Sequence, residues 1–296
     1  PFLNKIVSGL YTPGSIVKPF MALAALTEKT MDPNKVIVST GALTIPNPYT
    51  PSQPSVFPDW KAHGALTMRT AIAMSSNVYF YVVGGGFADQ KGLGIKRIDE
   101  YMHHFGFDTA TGIALPGEQV GLVPSPTWKK ETLDEEWRLG DTYHTSIGQY
   151  SFQVTPLEMV RAYAAIANGG TLLTPLLTKD APQTPVELPV SDTSFQIVRE
   201  GMKLGAEIGT ARSLNRPEMK FGGKTGTAKL DAAKRYVNSW VVGFYPYDKP
   251  KYAFVLLMEH GPRANLFGAA PIMSQFFTWM RDNTPQYFSD LTTKTE

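Results

Sequence analysis

A strand–turn–strand pattern near the C-terminus constrains the fold of this chain more than any other feature. Residues 237–245 and 251–259 are rich in β-branched and aromatic side chains, which favour pleated strands. The segment between them begins and ends with proline, at Pro246 and Pro250, a composition typical of turns. We therefore predict an antiparallel hairpin, with residues 221–229 as a third, edge-like strand.

Helical patterns dominate the chain before this hairpin. The clearest covers residues 156–168, with Pro156 in its first turn and Gly169-Gly170 directly after its last. Further helices are predicted at residues 15–29, 67–74, 77–83, 95–105, 193–208 and 269–281. Helices in the middle of the chain and an antiparallel end together indicate an α+β fold.

Two segments rich in helix and strand breakers are predicted to be loops. Residues 45–58 contain five prolines, which remove amide donors and make a central strand or helix there unfavourable. Residues 180–189 have a similar composition and are expected to form a solvent loop before the final part of the chain.

The composition excludes several classes of function. The 28 basic and 26 acidic residues leave a formal charge of +2, which indicates neither a nucleic-acid partner nor a polybasic membrane signal. The chain has 0 cysteines, which excludes disulfides, thiolate zinc sites and a cysteine nucleophile. No apolar run reaches the ~18 residues of a membrane span. Because the first residues resemble neither a signal peptide nor a start methionine, we expect the chain to be a fragment of a longer protein.

The first of three short motifs with chemical meaning is Ser-Ile-Val-Lys, from Ser15 to Lys18. A serine at a helix start lies near unpaired backbone amides, and a lysine three residues later shares its face of the helix. If that face is buried, desolvation lowers the lysine pKa and makes the amine a base for the hydroxyl. An N-cap serine with a surface lysine is the ordinary alternative.

The other two motifs are Ser-Ser-Asn at residues 75–77 and Lys-Thr-Gly-Thr at residues 224–227. The hydroxyl and amide of residues 75–77 could relay a proton and hold a substrate amide, but such residues are also common helix caps. A similar Ser-Leu-Asn at residues 213–215 makes this pattern unspecific. In residues 224–227, lysine and threonine can hold a carboxylate, and the glycine permits a close backbone approach.

Taken together and in this order, the three motifs resemble those of penicillin-binding proteins and serine β-lactamases. The chain is similar along essentially its whole length to class B transpeptidases of the elongation, or rod-shape, type. This subtype is indicated by flanking segments at residues 121–124, 128–130, 140–142, 147–149 and 155–157. The chain departs from the family at Tyr150, where a glycine usually follows Gly148-Gln149.

The resemblance implies the penicillin-binding/serine β-lactamase-like fold, an antiparallel sheet flanked by helices plus a helical subdomain. In this family the first strands precede the nucleophile, whereas only 14 residues precede Ser15 here. We therefore expect residues 1–296 to form one transpeptidase domain whose sheet is incomplete at the N-terminus or is completed by another segment. The upstream pedestal domain and membrane anchor of the family are expected to lie outside this chain.

The resemblance also implies a role for each motif in cross-linking peptidoglycan stem peptides. Ser15 would attack the carbonyl between two terminal D-alanines, and Lys18 would take its proton. Ser75, polarised by Lys224, would protonate the leaving D-alanine, and Asn77 would hold a substrate amide. The substrate-binding residues would be Thr225, Gly226 and Thr227, with the two threonines receiving the terminal carboxylate.

No metal or organic cofactor is implied by the family. The expected partners are stem peptides and β-lactam antibiotics, and for the full-length protein a membrane glycan polymerase and other elongation-complex proteins, with no nucleic acid. The expected location is the bacterial inner membrane, with the catalytic domain on the periplasmic side.

Two other functions remain open at this stage. A serine β-lactamase would share all three motifs, but it needs a deacylating base; the available glutamates are Glu118, Glu131, Glu135 and Glu136, and none lies in a recognisable pattern. A non-catalytic penicillin-binding sensor or scaffold could keep the same fold and acylate without transferring.

Overall fold

The computed structural model describes residues 3–47, 50, 52–216, 218–230, 235–264 and 267–288. Its helices are α1 (Lys5–Ser8), α2 (Lys18–Thr27), α3 (Met68–Met74), α4 (Asn77–Gly85), α5 (Ile95–His104), α6 (Pro126–Leu133), α7 (Leu139–Ser146), α8 (Pro156–Asn168), α9 (Asp192–Glu207) and α10 (Ala269–Asn283). Its strands are β1 (Ile37–Ser39), β2 (Ala42–Ile45), β3 (Ser55–Pro58), β4 (Gly64–Leu66), β5 (Thr171–Leu172), β6 (Val186–Glu187), β7 (Gly222–Lys229), β8 (Tyr236–Tyr245) and β9 (Tyr252–Pro262). Single 3-10 turns lie at Gly14–Val17, Arg212–Leu214 and Pro285–Tyr287.

The predicted hairpin and its edge strand form an antiparallel sheet in the order β7-β8-β9. Alternate side chains of the central strand point to opposite faces of the sheet. Trp240 and Val242 face the larger of two hydrophobic cores, whereas Val241 and Tyr245 face a smaller core shared with Phe277 of α10. Across the described residues this sheet has three strands, in agreement with the predicted incomplete sheet of an α+β fold.

The larger core surrounds α2, whose residues 18–25 are all buried. A helix that is apolar on every face is stable only inside a protein. The ring of Phe20 contacts the rings of Phe105, Phe107 and Tyr163, with centroid distances of 5.1, 5.1 and 5.2 Å. This packing fixes the start of α2, where the first motif lies.

All seven predicted helices are present, with ends that differ by at most a few residues. The first begins as the 3-10 turn Gly14–Val17 and continues as α2. The predicted break between α3 and α4 falls at Ser75 and Ser76, which cap the two helices.

The elements that the sequence did not predict are short and lack clear periodicity: α1, α6, α7 and β1 to β6. The proline-rich segment 45–58 contains no central strand in its described part, but its last four residues form β3, which pairs with β2 in a two-stranded hairpin. Residues 48, 49 and 51 of that segment lie outside the described ranges. The predicted loop at 180–189 includes the two-residue strand β6, paired with β5.

The turn before Ser15 is held by backbone contacts that leave no room for side chains. Gly14 has φ +59° and its amide donates to the Gly148 carbonyl at 2.8 Å. Gly148 itself has φ +69°, and a Cβ built on it would lie 2.2 Å from the Gly14 carbonyl oxygen. From α8, the Tyr163 hydroxyl donates to the carbonyl of Ile16 at 2.7 Å. The turn is therefore clamped between the α7–α8 connection and the buried helix α8.

We predict that Gly148→Ala destabilises the protein by about 3 kcal/mol or more, because the new methyl group meets backbone atoms at a position with positive φ. Gly169→Ala is the matched control. Gly169 has φ +88°, but a Cβ there meets nothing within 4 Å. Gly169→Ala is therefore expected to lose only ~1 kcal/mol of stability, the cost of a left-handed backbone for a residue with a Cβ. Denaturant unfolding of both variants measures the difference, and equal losses of stability would contradict the clamp.

Candidate active site

An open cleft of about 870 Å³ brings residues of all three motifs together. Six of the eight predicted site residues line it: Ser15, Ser75, Asn77, Thr225, Gly226 and Thr227. The other two, Lys18 and Lys224, are fully buried and reach the same place through hydrogen bonds to Ser75. The structure thus assembles the whole predicted set in one location.

Lys18 is the first residue of α2, one turn after Ser15. Its Nζ donates to the Ser75 carbonyl oxygen and to Asn77 Oδ1, both at 2.8 Å. Burial lowers the pKa of Lys18 to about 7, against an opposing upward effect of the negative charge of Asp59. A substantial fraction of this lysine is therefore neutral near pH 7.

Lys224 approaches Ser75 from the sheet. Its Nζ donates to Ser75 Oγ and to the Thr225 carbonyl, both at 2.7 Å. Burial holds the pKa of Lys224 well below its ordinary value, and the positive charge of Lys18 lowers it further. Two buried amines from different elements thus contact the carbonyl and the hydroxyl of one serine.

Ser75 has a left-handed backbone, with φ +58° and ψ +37°, and forms the C-cap of α3. Few residues other than glycine adopt this conformation, because Cβ approaches the following carbonyl oxygen. The strained cap ends α3 and lets α4 begin two residues later at Asn77. Strain of this kind persists where surrounding contacts enforce it, and here both lysines contact the strained residue.

Gly226 allows β7 to pack directly on the turn that carries Ser15. A Cβ at this glycine would lie 2.8 Å from the Pro13 carbonyl oxygen and 2.9 Å from Ile16 Cγ2. On either side of it, Thr225 donates its hydroxyl to Thr210 Oγ1 at 2.6 Å, and Thr227 is exposed to solvent. The third motif therefore forms one wall of the cleft next to Ser15.

Asp59 is the main residue of the cleft that the sequence patterns missed. Its buried carboxylate lies at the start of α4 and accepts hydrogen bonds from the Ser76 hydroxyl at 2.6 Å, from the Asn77 amide at 2.8 Å and from the Val78 amide at 3.1 Å. Burial acts to raise the pKa of Asp59, but the hydrogen bonds it accepts outweigh that effect and leave the pKa below its ordinary value. The carboxylate also complements the positive end of the helix dipole.

Short-range spacing gives no signal for this contact, because the unpredicted strand β4 and the helix α3 separate Asp59 from the motif that it holds. The Nε2 atom of buried His63 lies 3.6 Å from Asp59 Oδ1. Burial lowers the pKa of His63, which favours the neutral imidazole beside the carboxylate.

Asp141 and His144, which lie three residues apart on α7, do different things. Asp141 caps α7 through the Arg138 amide at 2.8 Å and accepts from Lys129 Nζ at 2.8 Å. His144 lines the cleft, and burial lowers its pKa. Asp141 thus makes a local hydrogen bond that caps α7.

The four glutamates considered as deacylating bases lie elsewhere. Glu118 accepts from the Thr111 amide at 2.9 Å, Glu135 pairs with Lys129, and Glu136 pairs with Lys130. Neither these three nor Glu131 is among the cleft-lining residues in the described part of the chain.

Within the described residues, no group of three or more histidine, aspartate or glutamate side chains is placed to hold a metal ion. The same part of the chain contains no helix with the length and apolar character needed to cross a bilayer.

Comparison with protein families gives a match to the penicillin binding protein transpeptidase domain over residues 1–278. Among curated proteins, the peptidoglycan D,D-transpeptidase MrdA of Acinetobacter baumannii is 33% identical over 287 residues, covering 88% of this chain and 41% of that protein. The Escherichia coli K12 protein of the same name is 28% identical, covering 96% of this chain and 47% of that protein. The chain thus spans about half the length of these relatives.

Solved structures of penicillin-binding proteins are also similar to this chain. The penicillin-binding protein PBP2 of Helicobacter pylori is 31% identical with a TM-score of 0.81, covering 97% of this chain and 51% of that one. Pseudomonas aeruginosa PBP2 in complex with WCK 5153 is 30% identical with a TM-score of 0.80, covering 96% and 64%.

We predict that Asp59→Asn lowers the free energy of unfolding by about 2 kcal/mol, because an amide cannot accept all the hydrogen bonds that the carboxylate accepts. The loss is expected to speed hydrogen exchange at the Asn77 and Val78 amides. Asp32→Asn is the control, since Asp32 accepts one local hydrogen bond, from the Asn34 amide at 2.8 Å, at the surface. Unchanged protection of the α4 amides in Asp59→Asn would contradict the positioning role.

Proposed function

Because this chain belongs to the penicillin-binding protein transpeptidase domain family, we propose that it cross-links peptidoglycan stem peptides as a D,D-transpeptidase with Ser15 as nucleophile. One observation carries the proposal: two buried lysines converge on Ser75, Lys18 at its carbonyl and Lys224 at its hydroxyl. We further propose that residues 1–296 constitute one such domain.

Acylation begins at Ser15. Its Oγ attacks the carbonyl carbon between the two terminal D-alanines, and the neutral amine of Lys18 takes the hydroxyl proton. The pKa of about 7 for Lys18 supports this role, because a general base acts best when its pKa lies near the working pH. The hydrogen bonds from Lys18 to Ser75 and Asn77 hold the amine against two residues that line the cleft.

Expulsion of the terminal D-alanine requires a proton on its nitrogen. Ser75 Oγ supplies it as the C–N bond breaks, and Lys224, which donates to that oxygen at 2.7 Å, polarises the serine hydroxyl. The proton that Lys18 acquired from Ser15 returns through the Ser75–Lys224 pair, so the enzyme regains its starting protonation. The product is an ester between Ser15 and the stem peptide.

The donor peptide binds against β7, which forms one wall of the cleft. The hydroxyls of Thr225 and Thr227 receive the terminal carboxylate, and Asn77 holds a backbone amide. The amides of Ser15 and Thr227 form the oxyanion hole, where one donor contributes about 3 kcal/mol in comparable enzymes. Gly226 lets β7, the strand that carries Thr227, pack directly on the turn that carries Ser15.

The ester then passes to an amine of a neighbouring stem peptide. The amine nitrogen attacks the ester carbonyl, the Ser15 oxygen leaves, and the amine proton returns to that oxygen through the same lysines. A β-lactam resembles the D-alanyl-D-alanine terminus and leaves Ser15 as a stalled ester. We place this chemistry on the periplasmic side of the bacterial inner membrane, alongside a glycan polymerase and other elongation proteins.

Two features of the cleft favour transfer over the alternative functions. A β-lactamase needs a base against the ester, and none of the four candidate glutamates is among the cleft-lining residues in the described part of the chain. The Asp59 carboxylate does line the cleft, but it accepts hydrogen bonds from Ser76, Asn77 and Val78. A scaffold that does not acylate has no need of two buried lysines, each of which loses solvation energy on burial.

We predict that wild-type protein incubated with benzylpenicillin gains the mass of one ligand molecule and keeps it for hours, and that Ser15→Ala gains none. Intact-mass measurement over time checks both. Ser213→Ala, which alters the unspecific motif, is the matched control and is expected to acylate like wild type. An adduct lost within seconds would favour a β-lactamase, and an adduct on Ser15→Ala would contradict the nucleophile.

The pH dependence of acylation follows from the lowered pKa of Lys18. Protonation removes the base, so the second-order acylation constant is expected to rise about tenfold per pH unit below pH 7 and to level off above it. Asn77→Asp is expected to move the midpoint upward by about one unit, because a carboxylate stabilises the ammonium form. Lys203→Met, on α9, serves as the control with an unchanged midpoint. A flat profile between about pH 5.5 and 9 would contradict Lys18 as the base.

A further inference from the structure

Tyr150 lies in the cleft with a backbone conformation that suits glycine. Its φ is +68°, in the left-handed region that costs L-residues energy because of Cβ contacts. The chain thus places a bulky aromatic residue where the resembling family usually has glycine. Non-glycine residues held in this region cluster at functional sites, where neighbouring contacts maintain the strain.

The Tyr150 ring is held by three side chains from α6 and the segment after it. Trp128 and Trp137 meet it edge-on, at centroid distances of 6.1 and 5.8 Å, and Lys129 Nζ lies 5.8 Å from its centroid. Such edge-to-face and cation–π arrangements are favourable and directional.

The partners of the ring are themselves anchored. Trp137 donates its indole N–H to Thr142 at 2.8 Å, and Lys129 donates to Asp141 at 2.8 Å. The ring orientation is therefore fixed before any ligand arrives, which reduces the entropy lost on contact.

The position of Tyr150 relative to Ser15 indicates what it contacts. It follows Gly148, whose carbonyl accepts from the Gly14 amide directly before Ser15. The proposed carboxylate site belongs to a different segment, β7 with Thr225 and Thr227. Tyr150 and Ser15 line the same cleft, so the ring adjoins the space open to an acylating ligand, on a segment that contributes nothing to the proposed carboxylate site.

We propose that Tyr150 is a specificity-determining residue, a rigid aromatic wall that packs on an apolar or aromatic group carried by the acyl donor on the side away from its carboxylate. This inference rests on the proposed function, since it requires a ligand that acylates Ser15. A donor with such a group gains contact area with the ring, whereas a donor without it gains none.

Two β-lactams that differ in this group test the proposal. Benzylpenicillin carries a phenylacetyl group, and 6-aminopenicillanic acid has only a free amine there. Second-order acylation constants are measured for wild type, Tyr150→Phe, Tyr150→Gly and Tyr150→Asn. Glycine and asparagine both suit the left-handed backbone, so the test does not depend on the folding of a single variant.

Loss of the ring is expected to lower the constant for benzylpenicillin about fivefold and to leave that for 6-aminopenicillanic acid unchanged. Tyr150→Phe is expected to match wild type. Ala88→Gly is the control, because Ala88 also has positive φ, +51°, but is not among the cleft-lining residues. It is expected to change neither constant.

The outcomes separate the two proposals. Equal effects on both ligands, or no effect on either, overturn the role of Tyr150 while wild-type acylation keeps the proposed function. A wild type that neither ligand acylates overturns the proposed function and this inference with it.

Discussion

The burial of two lysines against one serine is the constraint on which the rest of the site depends. An ammonium group removed from water loses several kcal/mol of solvation unless it is paired or loses its proton. Lys18 and Lys224 are both fully buried, and burial lowers the pKa of each. Because two positive charges at one serine repel, the arrangement favours a state in which at least one amine is neutral. That neutral amine is what the proposed chemistry at Ser15 requires.

The surrounding structure serves to hold this arrangement. The Asp59 carboxylate caps α4 and thereby fixes Ser75 and Asn77, the groups to which Lys18 donates. Gly226 brings β7, and with it Lys224, against the turn of Ser15. The same turn is fixed from its other side by Gly148. These contacts join backbone and side-chain groups directly, so small displacements at any of them move the lysines.

Much of this organisation could be predicted from the sequence. The helix α8 and the β8–β9 hairpin are long elements with clear ends. Their start, stop and turn residues are the ones that sequence rules for helices and hairpins describe. The three motifs were also identifiable, and the structure brings the eight site residues predicted within them to one cleft or directly against it. Their proposed roles remain predictions that the acylation experiments address.

The parts that could not be predicted depend on contacts between distant segments. The strands β1 to β4 are three or four residues long, and only their mutual pairing makes them strands. Asp59 is recognisable as a helix cap only when that pairing has brought it to α4. The left-handed backbone of Tyr150 could not be predicted either. The residues that stabilise its ring, Trp128 and Trp137, belong to a helix and a loop whose sequences show no clear periodicity.

The most direct test of the account is an NMR titration of the lysine side chains, followed through ε-carbon and ζ-nitrogen labels. We expect one lysine that titrates near pH 7, far below the ordinary 10.5, and whose signal is absent from Lys18→Met. We also expect a second lysine with a strongly lowered pKa, whose signal is absent from Lys224→Met. A set of lysines that all titrate near the ordinary value would contradict the buried neutral base and the mechanism built on it.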